Sequence, residues 1–333
     1  MWVKIENDVF DGNYNIDVLR KLIQDLSYKH KHNIFIDIPT IRNEEVFDNF
    51  SETINKNIYN YYEKFINDSP NINYFVSNIE NGENYFNPND AIDFFNLPLL
   101  IILENNDNDA FFLDAIIREF KKSSKKIRNF RDNLWIKYIN SGGSGNVEHS
   151  INAEIRNVGG NLKFLKCFVL LDSDLEFPQV VNLKRERLIN YLNGLNVKYH
   201  ILEKREVENY LPIDLFNLIN PSDVFVRTYC DLLTPIQRDF IDIEKGFNKS
   251  IENIESENEE IYHFFINENE SIKDLKIKLS NLRYGLNRIF GDFKNEYTKL
   301  FENATQEGLI ERTKEQENPD ELKLILEKIT KLL

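Results

Sequence analysis

The fold is decided by one stretch of the sequence, Cys167-Phe168-Val169-Leu170-Leu171-Asp172-Ser173-Asp174. Its first five residues are apolar, and so short an apolar run is typical of a strand buried on both faces of a parallel α/β sheet. Open α/β sheets bind ligands at the carboxyl ends of their strands, where carboxylates add little stability but suit a metal ion. Asp172 and Asp174 stand at such an end. Turn formation is the alternative interpretation, because Asp and Ser also favour tight turns.

The composition indicates a globular protein. The chain has 333 residues, of which 41% are hydrophobic, which suits one large domain or about two to three smaller ones. No apolar run reaches the length of a membrane-spanning helix and the first residues lack the apolar segment of a signal peptide, so we expect a soluble, cytoplasmic protein. Cys167 and Cys230 are too few for a disulfide framework or a four-thiolate zinc site, and we interpret both as core residues.

The charge is unevenly distributed. A net charge of −14 argues against a protein that coats nucleic acid nonspecifically, because phosphate binding needs concentrated Lys and Arg. Between residues 115 and 137, however, eight basic residues stand against two acidic ones. This basic patch is either a solvated helix face or a surface that binds nucleic acid. The residues predicted to bind nucleic acid there are Lys121, Lys122, Lys125, Lys126 and Arg128.

Strands and helices alternate through the middle of the chain. Apolar runs predict strands over 99–103, 134–139, 167–171 and 197–202. The helical segments between them imply crossover connections, and therefore an α/β domain with a mostly parallel, Rossmann-like central sheet flanked by helices. We place this domain at residues 98–212. Residues 1–97 are predicted to form an α+β region of unknown role, and residues 213–333 a helical region.

Acidic residues follow two of these strands. Glu104 comes directly after the strand over 99–103, and Asp172 and Asp174 follow the strand over 167–171. Because strand ends of one sense share one edge of a parallel sheet, we expect these carboxylates to converge. Converging carboxylates repel one another unless a cation neutralises them, and hard oxygen ligands without His or Cys select Mg²⁺ or Mn²⁺. Such a cation can activate water for phosphodiester cleavage.

A glycine turn is expected at the same edge. Gly142 and Gly143 follow the second predicted strand, and a glycine backbone can approach a phosphate or a metal closely. The chain contains no Gly-Lys-Ser or Gly-Lys-Thr, so this turn does not match a nucleotide phosphate-binding loop.

Charged residues also follow the fourth predicted strand. Alternation predicts that Lys204, Glu206 and Glu208 point one way and Arg205 the other while the segment stays extended. A cation beside a metal can stabilise charge on a phosphate, and a further carboxylate can complete a second metal site. A surface salt-bridge cluster is the alternative interpretation of this segment.

These features follow one another in a recognisable order. A glutamate comes after the first strand, a glycine turn after the second, Asp-x-Asp after the third, and the segment after the fourth ends in Glu208-Asn209-Tyr210. Over about residues 98–212 this order resembles the Toprim domain. Within that superfamily the chain is similar to nucleases of bacterial anti-phage defence, among them the overcoming-lysogenization-defect nucleases and the Toprim effector of PARIS-type systems.

The resemblance implies a role for each matching residue. The metal ligands that it implies are Glu104, Asp109, Asp172, Asp174 and Glu208. Of these, Glu104, Asp172, Asp174 and Glu208 are also implied as catalytic, together with Lys204. Arg205 is the alternative to Lys204 as the basic side chain beside the metal. Gly142-Gly143 match the glycine turn that approaches the substrate.

The sequence departs from the Toprim pattern at two positions. Asn105 stands where a glycine usually follows the glutamate. Asp109, which resembles the aspartate at the start of the next helix in the nuclease branch, lies one residue later than expected, so Asp107 is the alternative for its role.

The resemblance implies a Mg²⁺- or Mn²⁺-dependent nuclease, acting as a toxic anti-phage effector under the control of a partner ATPase. DNA and RNA, including tRNA, stay open as substrates, as do endo- and exonucleolytic attack and a homodimer. A regulatory Toprim-like subunit that binds a partner protein is the second hypothesis. A phosphatase or phosphotransferase with an aspartyl nucleophile is the third, but that chemistry calls for the Asp pair after the first strand. Topoisomerase and primase activities fit poorly, because they need a strand-passage apparatus or a zinc module.

Overall fold

Two four-stranded parallel sheets succeed each other along the chain in the computed structural model. The structure describes the whole chain except residues 12–14, 42–43, 80–81, 179, 181, 252–258 and 291–295. It describes the backbone alone for Glu44, Asn106, Asp107 and Glu259. The predicted α/β class and its mostly parallel sheet are confirmed.

The first sheet belongs to an α/β unit rather than to the predicted α+β region. Its strands are β1 (Trp2–Ile5), β2 (Asn33–Ile36), β3 (Tyr74–Val76) and β4 (Tyr85–Phe86). They are all parallel, in the order β2-β1-β3-β4. The helices of this unit are α1 (Ile16–Ser27), α2 (Glu52–Asp68) and α3 (Pro88–Asn96). β1 and β4, with four and two residues, are too short to display a period in the sequence.

The second sheet repeats the arrangement of the first. Its strands are β5 (Leu99–Leu103), β6 (Ile136–Asn140), β7 (Cys167–Leu171) and β8 (Lys198–Ile201). They are all parallel, in the order β6-β5-β7-β8. All five residues of β7 are buried, as expected for a central strand covered by helices on both faces.

The strand order changes direction between β5 and β7, which makes a crevice at their carboxyl ends. The connecting helices are α4 (Asn106–Glu119), α5 (Lys125–Asp132), α6 (Val147–Asn157) and α7 (Leu183–Gly194). The chain places β6 on one side of β5 and β7 on the other. Open α/β sheets bind their ligands at such a point, and here Glu104 follows β5 and Asp172 follows β7.

The carboxyl-terminal helices share their core with the second sheet. They are α8 (Ile213–Phe216), α9 (Val224–Arg227), α10 (Pro235–Phe240), α11 (Glu259–Phe265), α12 (Ile272–Asn281), α13 (Gln306–Thr313) and α14 (Glu321–Thr330). Phe112 of α4 packs edge-on against Phe301, with ring centroids 5.6 Å apart. Glu321 joins α14 to β8, because its Oε1 lies 2.8 Å from both His200 Nε2 and Glu203 N. No helix within the described residues has the length and apolar character to cross a membrane.

Candidate active site

Glu104 is the central carboxylate of the crevice between β5 and β7. Its side chain is buried, and Oε1 accepts hydrogen bonds from Asp172 N at 3.0 Å and Arg185 Nη1 at 2.8 Å. Burial raises the pKa of Glu104, and the charge of Arg185 offsets part of that increase. The end of β5 is thereby fixed to the end of β7 through a side chain as well as through the sheet.

Asp172, Asp109 and Glu208 form a group of interacting carboxylates with Glu104. Asp172 Oδ1 accepts a hydrogen bond from Val207 N at 3.0 Å, and Asp109 Oδ2 accepts one of 2.9 Å from the backbone at the start of α4. Burial raises the pKa of Asp172 well above its ordinary value, and the charges of Asp109, Glu104 and Glu208 add to the increase. Burial and the charges of Glu208 and Glu104 raise the pKa of Asp109 to about 8. The structure therefore brings four of the predicted residues together.

The glycine turn touches this group. Gly142 and Gly143 have φ values of +74° and +112°, a conformation that favours glycine. The backbone N–H of Gly143 donates to the carbonyl oxygen of Glu104 at 2.7 Å. The turn after β6 thus lies beside the residue that follows β5. The side chain of Asp107, the alternative to Asp109, lies outside the described part of the structure.

Arg185 is the cation of the crevice, and sequence reasoning missed it. Its buried guanidinium donates from Nη1 to Glu104 Oε1 at 2.8 Å and from Nη2 to Asp174 Oδ2 at 2.6 Å. Asp174 is exposed and has a φ of +54°, which Asp tolerates better than most residues. Arg185 lies in the first turn of α7, where a basic residue opposes the helix dipole. That unfavourable position is the one signal that could have revealed it.

Arg205 lies in a second group of charges after β8. Its side chain is 3.4 Å from Glu206 and 3.4 Å from Asp242, and its carbonyl oxygen accepts from Asp174 N at 3.0 Å. Burial and the charge of Glu208 raise the pKa of Glu206 to about 8. Arg205 is therefore next to the crevice but is engaged by its own carboxylates.

Lys204 lies in the core instead of at the crevice. It is 0% exposed, and its Nζ is 2.5 Å from Asp239 Oδ1. Burial and the charge of Arg312 lower the pKa of Lys204 to about 8. Alternation fails as a guide here because the strand ends at Ile201, and residues 203–206 form bends before a 3₁₀ turn at Val207–Tyr210. Lys204 and Glu208 therefore do not share one face.

The basic patch lies at the other end of the sheet from the carboxylates. Helix α4 begins next to Glu104, and its 14 residues span about 21 Å before Lys121, the first of the residues predicted to bind nucleic acid. Three lysines of the patch line a cleft at that far end: Lys122, Lys125 and Lys126. Arg128 donates to the carbonyl oxygen of Lys121 at 2.8 Å. The structure separates the patch from the carboxylates because a crossover helix runs back along the strands.

The donor chemistry of the crevice fits a hard divalent cation. Carboxylate oxygens gather there, and the raised pKa values of Glu104, Asp109 and Asp172 show that added positive charge is favourable. Within the described residues, no three His, Cys, Asp or Glu side chains are arranged to hold a metal ion as they stand. Arg185 occupies two of the carboxylates, Glu104 and Asp174.

Comparison with protein-family models, with curated proteins and with solved structures gives no match for this chain. Interpretation of the crevice therefore depends on its residues, their contacts and their charges.

Proposed function

We propose that the chain is a Toprim-like nuclease that uses Mg²⁺ or Mn²⁺ to hydrolyse phosphodiester bonds in nucleic acid. The observation that supports this best is the group formed by Glu104, Asp109, Asp172 and Glu208 at the ends of β5 and β7. Carboxyl groups whose pKa values are raised by burial and by one another's charges favour a divalent cation, which takes the place of their protons. Such a cation, when bound, lowers the pKa of water and neutralises charge on a phosphodiester.

In this proposal, backbone contacts indicate which carboxylates bind the cation. Glu104 and Asp172 hold the cation, since backbone N–H groups of Asp172 and Val207 orient their carboxylates. Asp109 and Glu208 supply further oxygens next to them. Arg185 keeps Glu104 in position before the cation is bound. Its guanidinium is then well suited to bind a phosphate oxygen of the substrate, because its planar donors match phosphate geometry.

The resemblance to anti-phage nucleases also implies a role for the protein in the cell. We assign the chain the role of a cytoplasmic effector whose activity is controlled by a partner ATPase encoded by another gene. Copurification of the tagged full chain with the products of neighbouring genes tests this part. A chain that recovers none of them, yet cleaves nucleic acid when purified, is a free enzyme.

Arg185 favours a second candidate function, a regulatory Toprim-like subunit without catalysis. A guanidinium between two carboxylates supplies the positive charge that a metal ion would otherwise supply. In that case the crevice is a structural charge cluster, and the chain acts by binding a partner protein. The experiment that tests the nuclease separates the two candidates.

The decisive experiment measures cleavage of plasmid DNA, single-stranded DNA and tRNA by the purified full chain with Mg²⁺, with Mn²⁺ and with EDTA. We expect cleavage only with a divalent cation. Glu104→Gln and Asp172→Asn should each reduce it by about 100-fold or more, because each removes a charged ligand while keeping the side-chain shape.

Glu6→Gln is the matched control, because Glu6 follows β1 as Glu104 follows β5. This variant should cleave like the wild type, and thermal unfolding should show that all three variants are folded. Undiminished cleavage by both crevice variants rules out the assigned site. Absence of cleavage by the wild type under all conditions, both alone and with any partner that copurifies with it, supports the regulatory subunit.

A further inference from the structure

A cleft of about 690 Å³ lies between the two α/β units, at the far end of α4 from the carboxylates. One wall is formed by residues 29–33 between α1 and β2, and the other by residues 122–129 at the start of α5. Its lining includes five lysines and no acidic residue, in a chain whose net charge is −14. The lysines are Lys29, Lys31, Lys122, Lys125 and Lys126. The cleft therefore concentrates positive charge.

Neutral groups accept the hydrogen bonds of two of these lysines. Lys29 Nζ donates to Asn133 Oδ1 at 2.6 Å, and Lys31 Nζ donates to the carbonyl oxygen of Phe95 at 2.5 Å. Burial lowers the pKa of Lys31 and that of Lys126. Burial, together with the charges of Lys31 and Lys126, lowers the pKa of neighbouring Lys166 to about 7. Positive charge is thus concentrated here, and the charge of Asp25 offsets only part of the effect on Lys31. Such a concentration favours an anion.

His32 provides an independent sign of a ligand. It lines the cleft and is 1% exposed, yet neither ring nitrogen has a hydrogen-bond partner among the described residues. Its ring packs against Phe95 and Phe130, with centroids 5.0 Å and 5.9 Å away. Burial lowers the pKa of His32 well below its ordinary value, so the ring is neutral and offers one donor and one acceptor. A buried polar group without a partner is costly, and a ligand in the cleft can supply that partner.

We propose that this cleft binds a small ligand that carries two or more phosphate groups and has about the size of a nucleotide. The volume is in the range of about 300–1,000 Å³ that is usual for small-molecule sites. Lys122, Lys125 and Lys126 meet the phosphates, and His32 forms a hydrogen bond with the remainder of the ligand. The site is separate from the crevice, so it does not depend on the proposed nuclease activity.

Calorimetric titration of the full chain with ATP, pyrophosphate or a single-stranded 12-mer oligonucleotide tests the proposal. EDTA is present throughout, so that no metal at the crevice contributes. ATP and pyrophosphate should bind saturably, and Lys125→Glu should weaken both by about tenfold or more. Lys56→Glu is the matched control, because Lys56 is an exposed lysine on α2 outside the cleft. It should bind like the wild type.

Two further measurements distinguish ligand binding from a purely structural role. His32→Phe keeps the aromatic packing but removes both ring nitrogens, so it should weaken ATP binding while thermal unfolding stays near wild type. Binding should also take up protons, because a bound anion raises the pKa values that burial has lowered at Lys31, at Lys126 and at the α-amino group of Met1, which also lines the cleft. Titrations in two buffers of different ionisation enthalpy measure this uptake.

Three results overturn the proposal. The first is the absence of saturable binding of ATP and of pyrophosphate by the wild type. The second is equal weakening by Lys125→Glu and Lys56→Glu, which indicates an unspecific effect of net charge. The third is binding of the oligonucleotide alone, which indicates a nucleic-acid surface instead of a small-molecule site.

Discussion

The two sheets have the same strand order and direction but opposite chemistry at their carboxyl edges. In the first, Asp8 Oδ2 accepts hydrogen bonds from Ser77 Oγ, Asn78 N and Ile79 N at 2.9, 2.7 and 3.2 Å. In the second, Glu104 accepts one backbone N–H and otherwise faces other carboxylates and Arg185. The same topology thus produces a carboxylate held by three hydrogen bonds in one unit and a group of interacting carboxyl groups with raised pKa values in the other. The fold supplies the crevice, and the residues after the strands decide its chemistry.

The ion pairs at the two edges differ in how far they are exposed to solvent. Glu6 follows β1 and pairs with Lys4 at 2.8 Å, with both side chains about a quarter exposed. Glu104 follows β5 and pairs with Arg185 at 2.8 Å, with both side chains less than a tenth exposed. Water screens the first pair and not the second. The comparison predicts that the stability of the second edge depends on Arg185, whereas the stability of the first edge does not depend on Lys4.

Removal of that cation should have the largest effect on stability. Arg185→Met leaves Glu104 buried without its partner, and we expect the free energy of unfolding to fall by about 3–5 kcal/mol. Lys4→Met, the matched change at the first edge, should cost less than about 1 kcal/mol. Urea unfolding of both variants in EDTA measures the difference. Equal losses would show that burial does not distinguish the two pairs.

Replacement of Asp by Asn should change the free energy of unfolding in opposite directions at the two edges. Asp8→Asn weakens three hydrogen bonds to a carboxylate, and should lower the free energy of unfolding by about 1.5–3 kcal/mol. Asp109→Asn can keep the hydrogen bond from the backbone of Asn105 while removing a repelled charge, so at pH 8 it should raise the free energy by about 1 kcal/mol or more. Both are measured by urea unfolding in EDTA. A loss of stability in both variants would contradict the comparison.

The fold of the second unit could be predicted from the sequence because its central strands are continuous apolar runs. Leu99–Leu103 and Cys167–Leu171 match the predicted strands, and Ile136–Asn140 lies within two residues of its prediction. The first unit lacks such runs. Its β1 reads Trp-Val-Lys-Ile and its β4 has two residues, so pairing with β3 and not local pattern makes them strands.

The site could be predicted only where position along the chain determines position in the fold. Glu104 and Asp172 follow parallel strands directly, so the topology alone brings them together. Arg185 reaches Glu104 from a helix 81 residues further along the chain, and that contact depends on how α7 packs. The direction of Lys204 follows from the bends that replace the extended backbone after β8. Contacts of this kind have no local pattern in the sequence.

The pH dependence of stability should reveal the proton that is held at the second edge. In EDTA, the folded chain keeps a proton on Asp109, whose pKa burial raises to about 8, at pH values where the unfolded chain has lost it. The folded state then binds more protons than the unfolded state, so the free energy of unfolding falls as the pH rises from about 4 to about 8. One such group contributes at most about 1.4 kcal/mol per pH unit. Asp109→Asn should reduce this slope relative to that of the wild type. Urea unfolding at four or more pH values measures both slopes, and an unreduced slope in Asp109→Asn would mean that the proton is not held at the second edge.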